Sequence, residues 1–157
     1  MQEKNKISEK SKKETRGLFG RLELWARANS MTVLIFGDGC CSSSRMKIIL
    51  DDWASSNSVS IDYTFNPRRA DILLVIGSVT HKQIPVLKET YEQMAFPKCV
   101  VALGVCSVSG GLFKTYSTVS ELSEYIPVDV LIPGCPPSEN LVGQAFEKIR
   151  SGQGGRE

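Results

Sequence analysis

The sequence has no run approaching the roughly 18 apolar residues that a membrane-spanning helix needs, and its N-terminus lacks the apolar stretch of a secretory signal. The chain is therefore expected to stay on the cytoplasmic side. It also lacks a strong charge of either sign: 19 Lys and Arg stand against 17 Asp and Glu, so nucleic acid is not an expected partner. Histidine occurs once, and His81, just after Thr80 at the start of an expected helix, reads as a capping or polar contact and not as a ligand. Paired Cys-x-x-Cys knuckles, which most structural zinc sites use, are missing as well. What is present is five cysteines, and in a reducing compartment these are reduced thiols or metal ligands before they are disulfides. Their odd number fits four ligands and one spare.

Length and a 41% hydrophobic content allow one buried core. Residues 1 to 17 are mostly Lys, Glu, Ser and Asn and are expected to be a flexible basic arm; over residues 1 to 30, eight Lys or Arg face four Glu. Over residues 18 to 30, Leu18, Phe19, Leu22, Leu24 and Trp25 alternate with Arg21, Glu23 and Arg27 in the pattern of a short amphipathic helix. Such a helix packs on its own domain or contacts a membrane or a membrane subunit. Residues 31 to 150 read as one domain and residues 151 to 157 as a frayed, Gly-rich tail.

Within that domain short apolar runs alternate with longer amphipathic ones. Strands are expected at residues 33 to 36, 59 to 63, 71 to 77, 99 to 104 and 128 to 132. Helices are expected through Met46 to Trp53, ending in the break Ser55-Ser56-Asn57, then from residue 82 to 94, near 119 to 124, and from Ser138 to about residue 150. Asn66-Pro67-Arg68-Arg69 is a turn, and Cys106, Gly110 and Gly111 belong to a long loop. The unbroken run Ile72-Leu73-Leu74-Val75-Ile76 suits a central strand covered on both faces. The class is α/β, a flavodoxin-like doubly wound and mostly parallel sheet in a single domain.

The chain is organised around Gly37-Asp38-Gly39-Cys40-Cys41-Ser42-Ser43-Ser44, where two adjacent thiols follow the first strand. Adjacent side chains converge on one object only if the backbone turns sharply, which the glycines permit. Cys106 follows the fourth strand and Cys135 the fifth, so Cys40, Cys41, Cys106 and Cys135 all emerge at the carboxyl edge of the sheet, where doubly wound folds bind ligands. Cys99 begins its strand at the opposite edge and reads as a buried core thiol. Four thiolates hold zinc or an iron-sulfur cluster, and dispersed loops around a large concave edge suit the bulkier cluster. The partial glycine pattern at Gly37, Gly39 and Ser42 is a poor dinucleotide fingerprint, because Ser replaces the third glycine and thiols crowd the phosphate position; no nucleotide is expected.

The segments Gly37-Asp38-Gly39-Cys40-Cys41, Pro67-Arg68-Arg69-Ala70-Asp71-Ile72, Gly77-Ser78-Val79-Thr80-His81-Lys82, Tyr91-Glu92-Gln93-Met94, Ala102-Leu103-Gly104-Val105-Cys106 and Ile126-Pro127-Val128-Asp129-Val130-Leu131-Ile132-Pro133-Gly134-Cys135-Pro136-Pro137 together resemble the small iron-sulfur subunit of respiratory complex I (the 20-kDa type) and of related membrane-bound hydrogenases. The resemblance runs over about residues 28 to 150. It implies one four-iron, four-sulfur cluster bound by Cys40, Cys41, Cys106 and Cys135, no catalysis by the chain alone, and a place on the cytoplasmic face of the membrane. It implies as partners a larger catalytic-type subunit, a ferredoxin-like two-cluster subunit that delivers electrons, and a membrane subunit contacted by the N-terminal helix.

The tandem Cys40-Cys41, in place of a Cys-x-x-Cys that would put a thiol at Asp38, favours the complex I side over nickel-iron hydrogenases. The Glu that both branches carry three residues after the second Cys is here Ser44, followed by Arg45. That departure fits a divergent member, and the small subunit of a membrane-bound hydrogenase or of a polysulfide-reducing relative stands as the alternative. A zinc-stabilised, non-catalytic α/β module is the reading from a different class. Arg68 and Arg69 form either a solvated turn or, as the resemblance implies, a face toward the partner subunit.

Overall fold

In a computed structural model of the chain, residues 25, 26, 28–37, 39–41, 43–111 and 115–151 are described, the side chains of Ser43 and Ser44 excepted. The expected basic arm, most of the amphipathic helix and the tail beyond residue 151 lie outside the described residues, as does any capping of the first long helix by Ser44 or its neighbours. Residues 25, 26, 28 and 29 are helical, with Asn29 Nδ2 donating to the Trp25 carbonyl at 2.9 Å.

Five parallel strands, β1 (Ser30–Phe36), β2 (Ser60–Tyr63), β3 (Ile72–Ile76), β4 (Cys99–Leu103) and β5 (Val130–Ile132), form one sheet in the order β2-β1-β3-β4-β5. Register follows from pairs such as Leu34 with Leu73, Val75 with Ala102 and Leu103 with Ile132. This is the doubly wound order expected, with the switch point between β1 and β3.

The alternation along the two central strands divides the core. Ile72, Leu74 and Ile76 with Cys99, Val101 and Leu103 face helices α1 (Ser43–Asn57) and α4 (Glu139–Arg150), where Met46, Leu50, Val142 and Phe146 meet them. Leu73, Val75, Val100 and Ala102 face the other way, onto Ile84 and Leu87 of α2 (Ile84–Gln93) and onto Val119, Leu122 and Ile126. Every residue of β3 and β4 is buried, as a strand covered on both faces must be. Phe146 is fully buried beside Trp53, ring centres 5.8 Å apart, a burial that stabilises by roughly 1.5–3 kcal/mol relative to exposure.

Beyond shifts at element ends, with β1 beginning at Ser30 and not at residue 33 and the helix expected near 119 to 124 reduced to a 3-10 turn at Leu122–Glu124, the structure departs from the sequence reading in two places. Helix α1 does not stop at Ser55-Ser56-Asn57 but runs through it. Ser55 and Ser56 donate from their hydroxyls to the carbonyls of Asp51 and Asp52, and Asn57 from its amide to that of Trp53, at 2.8–2.9 Å. Residues that favour breaks are thus held in the helix by bonding one turn back, and the chain reverses at Ser58, φ 55°. The loop expected around Cys106 contains a short helix, α3 (Val105–Ser109). At the other end, Ser138 accepts from the Leu141 amide and caps α4 as expected.

Candidate metal centre

Four of the five strands leave the carboxyl edge through a glycine at positive φ: Gly37 (94°), Gly77 (80°), Gly104 (88°) and Gly134 (140°). The reason is close approach as much as conformation. A methyl at Gly37 would come 2.3 Å from the Ile76 carbonyl oxygen, so the exit from β1 lies flat against β3. At Gly104 it would come 3.5 Å from the Cys41 sulfur and 3.7 Å from the Gly134 carbonyl. The Gly104 amide donates to Ile132 at 2.8 Å and the Val105 amide to Gly134 at 3.0 Å. The loops after β1, β4 and β5 are thereby tied together on a floor without side chains.

The thiols stand on that floor. Cys41 is buried, packed into the core face shared with α1 and α4, while Cys40 and Cys135 are exposed. Cys106 is half-buried in α3, which Ser107 anchors by donating to the Leu103 and Gly104 carbonyls at 2.7 and 3.1 Å. The helix closes where the Gly110 amide donates to the Cys106 carbonyl at 3.1 Å. Cys135 precedes a cis peptide to Pro136.

These four sulfurs, from three loops, act on one another. Burial, then the neighbouring charge of Cys40, a thiol hydrogen bond with Cys40, and the charges of Cys135 and Cys106 push the Cys41 thiol from 9.0 up to about 11. Cys135 is raised too, first by the charge of Cys40, then by burial, by Cys106 and by a hydrogen bond with Cys40. Cys40 therefore acts on both Cys41 and Cys135, with Cys106 in electrostatic reach of both. Four thiolates so placed repel one another, and a cationic centre between them removes that repulsion. Among the described residues, no group of three or more His, Cys, Asp or Glu side chains closes round a single metal ion. Four thiols are the donor set of a tetrahedral zinc site and of an iron-sulfur cluster alike.

Cys99 lies apart, at the start of β4 on the opposite edge, buried at 4% exposure. Burial first and the charge of Asp129 second push its thiol from 9.0 up to about 12, which keeps it protonated and unreactive. His81 is exposed, its ring 6.1 Å from that of Tyr125 and its amide donating to the Ser117 carbonyl at 3.0 Å. Arg68 and Arg69 lie exposed in a 3-10 turn after β2, with Arg69 3.9 Å from Asp62. Sequence reasoning singled out Gly110 and Gly111 but missed Gly104 and Gly134 as parts of the floor. The signal was there, since Phe36-Gly37, Ile76-Gly77 and Leu103-Gly104 each end an apolar run in glycine.

Fold and site together define an α/β protein of flavodoxin-like topology that gathers thiols at the carboxyl edge of its sheet. Residues 38–149 match the family model described as NADH ubiquinone oxidoreductase, 20 Kd subunit, and the chain belongs to that family. It is 45% identical over 125 residues to an NADH-quinone oxidoreductase subunit of Flavobacterium psychrophilum, covering 80% of this chain and 69% of the relative. It is 46% identical over 129 residues to the corresponding NADH-quinone oxidoreductase subunit of Geobacter metallireducens, covering 80% and 74%. Among solved structures it resembles a chain of the membrane-bound sulfane sulfur reductase, an archaeal respiratory membrane complex, with a TM-score of 0.71 and 32% identity over 83% of this chain and 73% of that one. A chain of an NAD+-reducing [NiFe]-hydrogenase shares the fold alone, at 18% identity and a TM-score of 0.55 over 82% and 94%. The chain is thus a member of a family whose relatives are subunits of NADH-quinone oxidoreductases, which are multisubunit oxidoreductases. Among the described residues no helix is long and apolar enough to cross a membrane.

Proposed function

We propose that this chain is the electron-transfer subunit of a complex I-like, membrane-associated oxidoreductase, and that Cys40, Cys41, Cys106 and Cys135 hold one four-iron, four-sulfur cluster. The observation that carries this reading is the meeting of those four thiols from three separate loops at one edge of the sheet. When bound, the cluster supplies one-electron storage and transfer. The chain's own residues do the rest. Cys41 anchors the inner side from within the core, Cys40 and Cys135 present sulfur toward the outer side, and Gly104 and Gly111 leave room for the sulfurs beside them. The exposed side is where a larger subunit covers the centre and excludes water, with a ferredoxin-like subunit as the donor and the substrate at the shared interface. The protein's levers are ligand geometry, hydrogen bonds to sulfur and burial. We place the assembly at the cytoplasmic face of the membrane, with the segment before residue 25 toward a membrane subunit.

A second reading takes the terminal acceptor to be a sulfur compound. It is favoured by the likeness to a chain of the sulfane sulfur reductase complex and by Ser44 at the position where the resemblance calls for Glu. Quinone, protons and polysulfide offered in turn to the intact assembly separate these acceptors.

Protein purified without oxygen is expected to be brown, to contain about four iron and four acid-labile sulfide per chain, and to give a paramagnetic signal on reduction. Cys135→Ser should abolish all three. Colourless protein with one zinc per chain would overturn the reading in favour of a zinc-stabilised module.

A further inference from the structure

The thiols are not the only chemistry at this edge. Arg45 lies in the first turn of α1, four residues after Cys41, and is exposed. Its side chain lines a cavity of about 330 Å3 together with Pro136, Pro137, Ser138, Glu139 and Asn140. Pro136 is bonded directly to Cys135, so the cavity that Arg45 lines lies between the segment that follows Cys41 and the segment that follows Cys135. Among the described residues Arg45 takes part in no ion pair. Glu139, the carboxylate on the same cavity, therefore does not neutralise it by contact. The guanidinium groups of Arg68 and Arg69 lie elsewhere, just before Asp71 and the start of β3 on the outermost-strand side of the sheet, and Arg69 already faces Asp62.

We propose that Arg45 is a positioning residue whose positive charge sets the reduction potential of the centre held by Cys40, Cys41, Cys106 and Cys135, holding it higher than the thiol cage alone would. The proposal rests on the cluster reading of the same edge. Reduction adds one negative charge to the centre, and a fixed cation nearby stabilises the reduced state over the oxidised one. Between the water limit and the value typical near a protein surface, a unit charge about 10 Å away shifts such an equilibrium by roughly two- to twentyfold.

The test is a charge series at this position in the full chain, reconstituted with iron and sulfide under anaerobic conditions. Iron and sulfide content are measured first, and each variant is then titrated potentiometrically with the paramagnetic signal as readout. Arg45→Gln is expected to lower the midpoint potential, Arg45→Glu to lower it about twice as far, and Arg45→Lys to leave it near that of the wild type. Because the side chain is exposed on a helix, cluster content should be equal across the series, and if Arg45→Glu alone fails to load, Gln against Lys still decides. Equal potentials throughout, or a shift in Arg45→Lys as large as in Arg45→Gln, would overturn the role of charge. A wild-type protein that takes up no cluster would be seen at the first step, and it would overturn the cluster reading and this inference with it.

Discussion

A methyl group placed on Gly111 would stand 3.0 Å from the Cys106 sulfur and 3.3 Å from its Cα, at a residue whose φ is +59°. The sulfur and the bare backbone opposite it are fitted to one another. Gly111→Ala therefore meets two penalties. The left-handed backbone costs about 1–2 kcal/mol for a residue with a Cβ, and the Cys106 side chain must turn away or shift. The fold absorbs the first, since Gly111 lies outside the sheet. The second bears on the centre, so iron content should fall well below that of the wild type while the far-ultraviolet dichroism stays unchanged. Full iron loading in Gly111→Ala would show that the Cys106 sulfur is not held where a cluster needs it.

Cys99 supplies the contrast among the five thiols. Cys99→Ala should keep its iron, at a stability cost of roughly 1 kcal/mol. It should also change how stability depends on pH. A thiol raised from 9.0 to about 12 in the folded state stays protonated on folding where the unfolded chain has already lost the proton. Its contribution is therefore complete below pH 9 and is lost as pH rises from 9 toward 12, by an amount on the order of a few kcal/mol. The difference in unfolding free energy between wild type and Cys99→Ala, measured in urea on metal-free protein from pH 8 to 11, should shrink and then reverse. A constant difference would mean that Cys99 is not shielded as its burial implies.

Lys98 is a buried cation at 4% exposure, held by carbonyls and rings. Its Nζ donates to the carbonyl of Tyr91 and, at 3.5 Å, to that of Met94, and it lies 3.8 Å above the Tyr91 ring and 4.7 Å from that of Phe96. The ammonium thus closes the carboxyl end of α2, where the helix dipole welcomes positive charge. Burial lowers its pKa, opposed by the charge of Glu92. Lys98→Met keeps the aliphatic stem but removes the donors and the charge, and should cost about 1–3 kcal/mol, read as a lower urea midpoint at unchanged slope. An unchanged midpoint would show that burying the charge offsets all that its contacts contribute.

Much of this was legible in the sequence, and what was not has specific causes. Ile72-Leu73-Leu74-Val75-Ile76 announces a central strand because a parallel strand covered on both faces has no polar positions. Cys40, Cys41, Cys106 and Cys135 could be assigned to one edge because each follows a strand and all strands point the same way. Helix α3 was missed because five residues are too few to show a period. The tail of α1 was misread because Ser55, Ser56 and Asn57 satisfy the carbonyls one turn back, which composition alone does not reveal. The cavity that Arg45 shares with Pro136 and Pro137 was equally hidden, since it forms only when β5 and α1 are in place.

Two aspartates at the edge opposite the thiols were also invisible, and they offer a way to separate fold from site. Asp71 accepts from the Thr32 amide at 3.0 Å while its own amide donates to the Thr32 carbonyl at 2.9 Å, joining β3 to β1. Asp129 repeats the arrangement with Val100, accepting at 2.8 Å and donating at 2.9 Å, and joins β5 to β4. Each carboxylate satisfies a strand amide where the ladder ends, a charge-assisted bond of the stronger kind. Asp129→Ala should cost about 1–3 kcal/mol, because the Val100 amide is left in a buried position, whereas Asp129→Asn, which still offers an acceptor oxygen, should recover part of the loss. Neither should change the iron content or the potential of the centre, which lies at the other end of the strands. Loss of iron in a still-folded Asp129→Asn protein would mean that the two edges are coupled and that the thiols do not owe their placement to the carboxyl-edge loops alone.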